Sequence, residues 1–228
     1  MTVTRQATPL SPTERTRIHR VRERAATDRE ALHDVLTAGL VCHLGVVIGG
    51  APRVIPTAYG FDPDGPDRDG SLYLHGSVAA HSLRAGPEQT VCVTVTLVDG
   101  LVLARSAFHH SMNYRSAMVL GAPRVVTGAD ERDHALVLIV DRLMPGRANT
   151  LRPHTRKELA ATTVLALPLH EASVKVRRGG VNDDEEDIAA GGWAGVIPVR
   201  TVLDAPVTDA DSPPDMPVPR HVTAAVDR

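Results

Sequence analysis

From residue 40 onward, short β-rich runs recur at close intervals, separated by turn signals too tight to hold a crossover helix. Residues 40–48 lead into Gly49-Gly50 and then a second run, 52–61, which is the pattern of a hairpin. Residues 90–98 alternate Val and Thr, and Asp99-Gly100 predicts another hairpin turn before 101–106. Parallel strands need long crossovers, so turns this early and this frequent argue against a doubly wound sheet. The spacing predicts mainly antiparallel strands in a closed or nearly closed barrel, with helices packed on it.

The helices announce themselves by their ends. Ser11-Pro12-Thr13-Glu14 reads as a helix start, leading a polar arm across the surface to about Arg24. A second helix opens near Thr27 or Asp28, carries Ala31, Leu32, Val35 and Leu36 on one stripe, and stops at Gly39. Asp130 is placed to cap a helix turning Ala135, Leu136, Leu138, Ile139 and Leu143 inward, and Thr155 with Glu158 forms a capping box. Residues 62–70 and 108–116 read as polar loops and 182–187 as an acidic one. Residues 71–75, 117–120 with 124–127, 164–169, 173–178 and 193–199 read as further strands. Pro56 predicts an edge or a bulge in its run. The expected division is an arm over residues 1–26, one domain over 27–203 and a disordered tail over 204–228.

A net charge of -2 with interspersed signs excludes a nucleic-acid-dominated surface, and the basic stretch 15–29 carries no aromatics. Cys42 and Cys92 form no CxxC pair and read as buried free thiols of a reducing cytoplasm. No secretory signal or membrane span is visible. Aromatic residues make up only 3% of the chain, so the core must be aliphatic and Trp193 gains weight by being the sole tryptophan.

Chemistry gathers at the end of the 71–75 strand. A break at Gly76 into a short helix would free backbone N–H groups for an anion, amid His75, Ser77, His81, Ser82 and Arg84. Arg84 is either a charge-assisted clamp or an ordinary exposed arginine. Arg53, between apolar neighbours, is either a ligand contact or an outward edge residue. His75 either bonds a cofactor or is a satisfied core histidine. No carboxylate or cysteine stands at ligand spacing from His75, His81, His109 or His110, so no metal is expected. Asn113-Tyr114-Arg115-Ser116 is a site wall or a self-satisfied loop, and Trp193 is a cover or plain core. Lys175 and Arg177 share one strand face, toward substrate, a second subunit or solvent.

Five motifs carry a resemblance: Pro52-Arg53-Val54-Ile55-Pro56-Thr57, Leu72-Tyr73-Leu74-His75-Gly76-Ser77, residues 106–116, Ala172-Ser173-Val174-Lys175-Val176-Arg177 and Trp193-Ala194-Gly195-Val196-Ile197-Pro198. In this order and spacing, over residues 13–200, the chain resembles the pyridoxamine 5′-phosphate oxidase-related flavin-nucleotide-binding proteins, a group that includes the nitroimidazole-resistance proteins. The resemblance implies an antiparallel, Greek-key-like split β-barrel forming a homodimer, with FMN at the subunit interface. It assigns Arg53 and Arg84 to the phosphate or ribityl chain and Val54, Ile55, Pro56 and Thr57 to the ring's edge. Leu74, His75, Gly76, Ser77 and His81 fall beside the phosphate turn, Asn113, Tyr114, Arg115 and Ser116 on a second wall, and Trp193 over the ring. The activity implied is an FMN-dependent oxidoreductase of a small molecule, with protons handled by Tyr114, His75 or water. The C-terminal Arg-x-His pattern of the true oxidase is absent, so pyridoxamine 5′-phosphate is not implied as substrate. A deazaflavin- or haem-binding barrel and a non-catalytic flavin sensor are the rival readings.

Overall fold

A computed structural model describes residues 8–213 and 215–226. Residues 1–7 of the expected arm, and residues 214, 227 and 228 of the expected tail, lie outside the described residues. The elements run α1 (Arg29–Ala38), β1 (Cys42–Ile48), β2 (Ala51–Thr57), β3 (Tyr59–Asp62), β4 (Ser71–Ser77), α2 (His81–Ala85), β5 (Val91–Leu103), β6 (Ser111–Gly121), β7 (Arg124–Val125), α3 (Ala129–Leu143), α4 (Arg156–Ala161), β8 (Thr162–Pro168), β9 (Glu171–Arg177), α5 (Glu185–Ala190), β10 (Gly195–Pro198) and α6 (Arg220–Val226).

Two antiparallel sheets result. One has the order β2-β1-β5-β6-β9, and the other β3-β4-β8-β7. At thirteen residues β5 is long enough for one of its edges to hold two strands: β1 pairs residues 92–94 and β10 pairs residues 100–103. Among the described residues no ladder joins the two sheets, so the barrel is split. Its main core is aliphatic, as the scarcity of aromatics requires: Leu44, Val46, Val93, Val95, Val119 and Val174 face Leu72, Leu74, Leu165 and Leu167. Tyr59 is the exception, and it reaches across to α1, donating its hydroxyl hydrogen bond toward the carbonyls of Leu36 (2.7 Å) and Gly39 (3.1 Å). The back of the smaller sheet packs on α3 through Tyr73, Ala166, Ala135 and Ile139.

The sequence reading needs correction at several joints. Residues 52–61 are not one strand: the run breaks at Ala58, where the chain changes sheets, leaving β2 as the edge that Pro56 indicated. Asp99-Gly100 is not a hairpin turn but a bulge within β5, because β6 pairs continuously past it and Asp99 turns aside to Arg115. Residues 111–116, expected in a loop, are therefore strand. The arm is not a helix from Ser11; its backbone follows β9 instead, Ser11 N–H donating to Ala172 O (2.7 Å) and Ala26 N–H to Val174 O (3.0 Å). Only single 3-10 turns, Glu14–Thr16 and Arg22–Arg24, interrupt it. Gly128, not Asp130, caps α3, and Leu143 stays half exposed rather than inward. The acidic loop contains α5, capped by Asp184, and the last strand begins only at Gly195. The expected tail contains α6, whose His221 lies beside Gly146.

Candidate functional site

The β4 strand does not break at Gly76. It pairs with β8 through Ser77, which keeps Gly76 extended, and a Cβ at Gly76 would lie 2.7 Å from the Leu83 side chain. The chain then turns over residues 78–80, with Ala80 as the N-cap of α2. No strand-to-helix break therefore exists at Gly76, where the anion site was expected; His81 and Arg84 project from α2, beyond the turn. With Ile48, Ala85 and Glu88 they line an open hollow of about 330 Å³. The backbone N–H of Arg84 donates to Ala80 O (3.1 Å) and Arg53 lies in the β1–β2 ladder, but neither side chain bonds another described residue. Arg53 pairs across with Val46 and shares its hairpin face with Ile48, which lines the same hollow. Both cations thus approach one side of the molecule without carboxylate partners.

Residues 54–57 divide by strand alternation. Ile55 packs on the core and Thr57 shares its face, whereas Val54, 70% exposed, and Pro56 lie on the outer face. Pro52 and Pro56 have no N–H to give to β1. The alternation therefore points the backbone groups of residues 52, 54 and 56 away from β1, with Val54 supplying that edge's free N–H. Leu74 is fully buried core rather than a cofactor contact. His75 is half-buried, and its Nδ1 is enclosed with no hydrogen-bond partner. Burial lowers its pKa, so the ring is held neutral. Ser77 is exposed and its hydroxyl accepts from Ala79 N–H (3.2 Å).

The second wall does not form as one surface. Tyr114 and Ser116 face outward from β6, aligned with Val98 and Thr96 of β5 and with Arg177 and Lys175 of β9. Arg115 points to the other face and grips Asp99 with two hydrogen bonds (2.9 and 2.8 Å), which lowers the Asp99 pKa and raises its own. Asn113 donates to Gly179 O (3.0 Å) and accepts from Arg177. Trp193 is 70% exposed and its ring lies beside Gly195. Arg105 holds that segment in place, donating to Gly192 O (3.1 Å) and to the Asp183 carboxylate (2.7 Å).

The structure thus yields two groups, one on β2 and α2 and one on β6. Strands β1 and β5 stand between them, about 14 Å across three strand spacings. Sequence spacing also missed a third gathering: His109, Asp184 and Asp187 bring one ligand atom each within 4.8 Å of one another, from segments some 75 residues apart. No carboxylate stands at ligand spacing from His109 along the sequence, but the fold brings Asp184 to 3.1 Å from His109 Nε2. Both thiols stay free, and burial pushes that of Cys42 up to about 12, leaving it unreactive. Among the described residues no helix is long and apolar enough to cross a membrane.

A split barrel of two antiparallel sheets, with an edge strand and an unpaired cation pair on one side, is matched over residues 28–176 by the model of the pyridoxamine 5′-phosphate oxidase family, and the chain belongs to that family. Flavocytochrome Anf3 from Azotobacter vinelandii is similar at 39% identity and a TM-score of 0.86, over 95% of this chain and 99% of that one. The FAD and haem binding protein from Mycobacterium smegmatis is also 39% identical, with a TM-score of 0.81 over 89% and 97% of the two chains. A Bacteroides thetaiotaomicron protein assigned to 5-nitroimidazole antibiotic resistance shares the fold at 22% identity, TM-score 0.55, over 67% and 86%. No curated protein sequence matches the chain.

Proposed function

We propose that this chain is a flavin-nucleotide-binding oxidoreductase acting on a small molecule, working as a homodimer in the cytoplasm. The observation that carries the reading is the 39% identity, over nearly the whole of both chains, to a protein named a flavocytochrome. The other 39% relative carries FAD in its name, which favours FAD over FMN here.

The residues fit a flavin nucleotide. Arg84 and His81 offer charge and hydrogen bonds to a phosphate, and Arg53 approaches from the same side. The Val54 N–H and neighbouring carbonyls on the free edge of β2 suit the hydrogen-bonding rim of the ring. The enclosed, unpartnered Nδ1 of His75 is a neutral group able to take a further bond. A bound flavin would supply the hydride or electron transfer, and the chain would bind, orient and shield it. Tyr114 completes the proposal from the partner copy, because two strands separate it from β2 within one chain, and the exposed Trp193 ring is free to cover the flavin.

Haem binding is a second part of the proposal, favoured by the names of both 39% relatives. Within the chain, the enclosed and unpartnered histidine nitrogens at His33, His75 and His221 lie in three separate elements, and none is singled out as an axial ligand. Heat release of the cofactor and chromatography test the flavin assignment: FAD is expected, in about one copy per chain. Arg84→Ala is expected to lower retention at least several-fold. Undiminished retention in that variant would remove Arg84 from the phosphate site.

A further inference from the structure

A third cationic group lies where the N-terminal arm crosses β9, on the far side of the larger sheet from β2. Lys175 and Arg177 alternate along the outer face of β9, and Ala25 of the arm bridges to Lys175, bringing Arg20 and Arg24 alongside. With Phe108 and His110 these residues line a hollow of about 480 Å³, within the usual size of a small-molecule site.

The charges in this hollow have no counter-charge. Lys175 Nζ donates to the carbonyl of Arg20 (3.1 Å). Arg177 donates to Asn113 Oδ1 (2.5 Å) and Gly180 O (3.2 Å), both neutral acceptors. Among the described residues none of the four cations pairs with a carboxylate. The nearby Asp183 and Asp184 are engaged by Arg105 and His109. Glu23 lines an adjoining hollow with Arg24 and Arg177 and bonds neither. Burial and the charge of Arg24 both lower the Arg177 pKa, a like-charge strain that a bound anion would relieve. His110 Nδ1 lies 2.8 Å from Ser106 O, which only accepts, so Nδ1 carries the proton and Nε2 is left free. At the rim the Phe108 ring is 88% exposed, a flat apolar surface touched by the His109 ring in an edge arrangement (centroids 5.0 Å apart) and otherwise open.

We propose that this hollow binds a nucleoside diphosphate, its phosphates among Arg20, Arg24, Lys175 and Arg177 and its base against Phe108. The proposal does not depend on the flavin reading. Two sources share this chemistry, the nucleotide arm of a flavin dinucleotide and a separate nucleotide.

Titration calorimetry of the full chain, as purified and after removal of flavin, with ADP, pyrophosphate and adenosine as probes, tests it. ADP is expected to bind at least tenfold more tightly than adenosine, with an affinity that falls as salt rises. Arg20→Glu combined with Arg24→Glu is expected to weaken ADP at least tenfold. Lys175→Gln, which keeps a hydrogen-bonding tip, should weaken it several-fold and guards against a folding defect in the first variant. His134→Ala, outside both hollows, should leave ADP binding intact. Saturation with FAD but not FMN abolishing ADP binding assigns the hollow to the flavin dinucleotide. ADP binding that survives both assigns it to a separate nucleotide. The proposal is overturned if ADP and pyrophosphate bind neither form of the protein, or if charge reversal leaves their binding unchanged.

Discussion

Arg29 shows what single residues hold together here. Its side chain is nearly buried and donates to three carbonyls, those of Thr8 (2.6 Å), Leu169 (2.7 Å) and His170 (2.9 Å), beside the Asp69 carboxylate at 3.3 Å. Asp69 in turn accepts from His170 (2.6 Å). Arg29→Ala would strand those acceptors and the acid together, so a loss of about 3–5 kcal/mol in chemical denaturation is expected. None of this was legible in the sequence, where Arg29 reads as one more charge in a basic stretch, because its partners lie up to 141 residues away. Glu171 gives a pH signature. Hydrogen bonds from Arg15, opposed by burial and helped by Thr13, push its pKa down to about 2. A depressed carboxylate stabilises the fold above its unfolded pKa, about 4.3, and that contribution is lost as pH falls through the folded value. Melting temperatures are therefore expected to drop between about pH 5 and pH 2, and Glu171→Gln should flatten part of that slope. An unchanged slope would remove the Arg15–Glu171 pair from the acid response.

Elements were legible where their signals are local. The α4 capping box is present as read, Glu158 N–H donating to Thr155 Oγ1 (3.2 Å) and Thr155 N–H to Glu158 (2.8 Å). The Gly49-Gly50 turn is there too, both residues at positive φ. The failures came where a partner strand overrides the local signal. Asp99-Gly100 carries turn chemistry, yet continuous pairing with β6 holds it as a bulge. Gly76 looked like a break, yet β8 keeps it in the ladder. The glycines separate these cases by experiment. A Cβ on Gly60 of β3 would lie 2.9 Å from the backbone of Leu138 and Ile139 in α3, which cannot yield without moving the helix. Gly60→Ala is expected to cost about 2 kcal/mol or more. Gly49→Ala has open space around it and only the positive φ of 58° to oppose it, about 1 kcal/mol. Equal losses at the two positions would contradict the close packing of β3 on α3.

At the scale of the molecule, the fold followed from turn spacing and the family from five motifs in order, but the geometry of the site did not. Motifs give sequence order, and it took the sheet topology to show that β2 with α2 and Tyr114 on β6 are separated by two strands. Only a second copy of the chain would bring those groups over one ligand. Sedimentation of the loaded protein is expected to give a dimer, and a stable, flavin-loaded monomer would contradict a shared site. The central claim, a flavin nucleotide doing redox chemistry on this barrel, is tested most directly by the absorption spectrum of the purified chain during anaerobic reduction. Flavin bands that are present in the purified or FAD-reconstituted protein and bleach stepwise are expected. A chain that neither carries nor takes up FAD or FMN, or whose bound flavin no reductant bleaches, would contradict it.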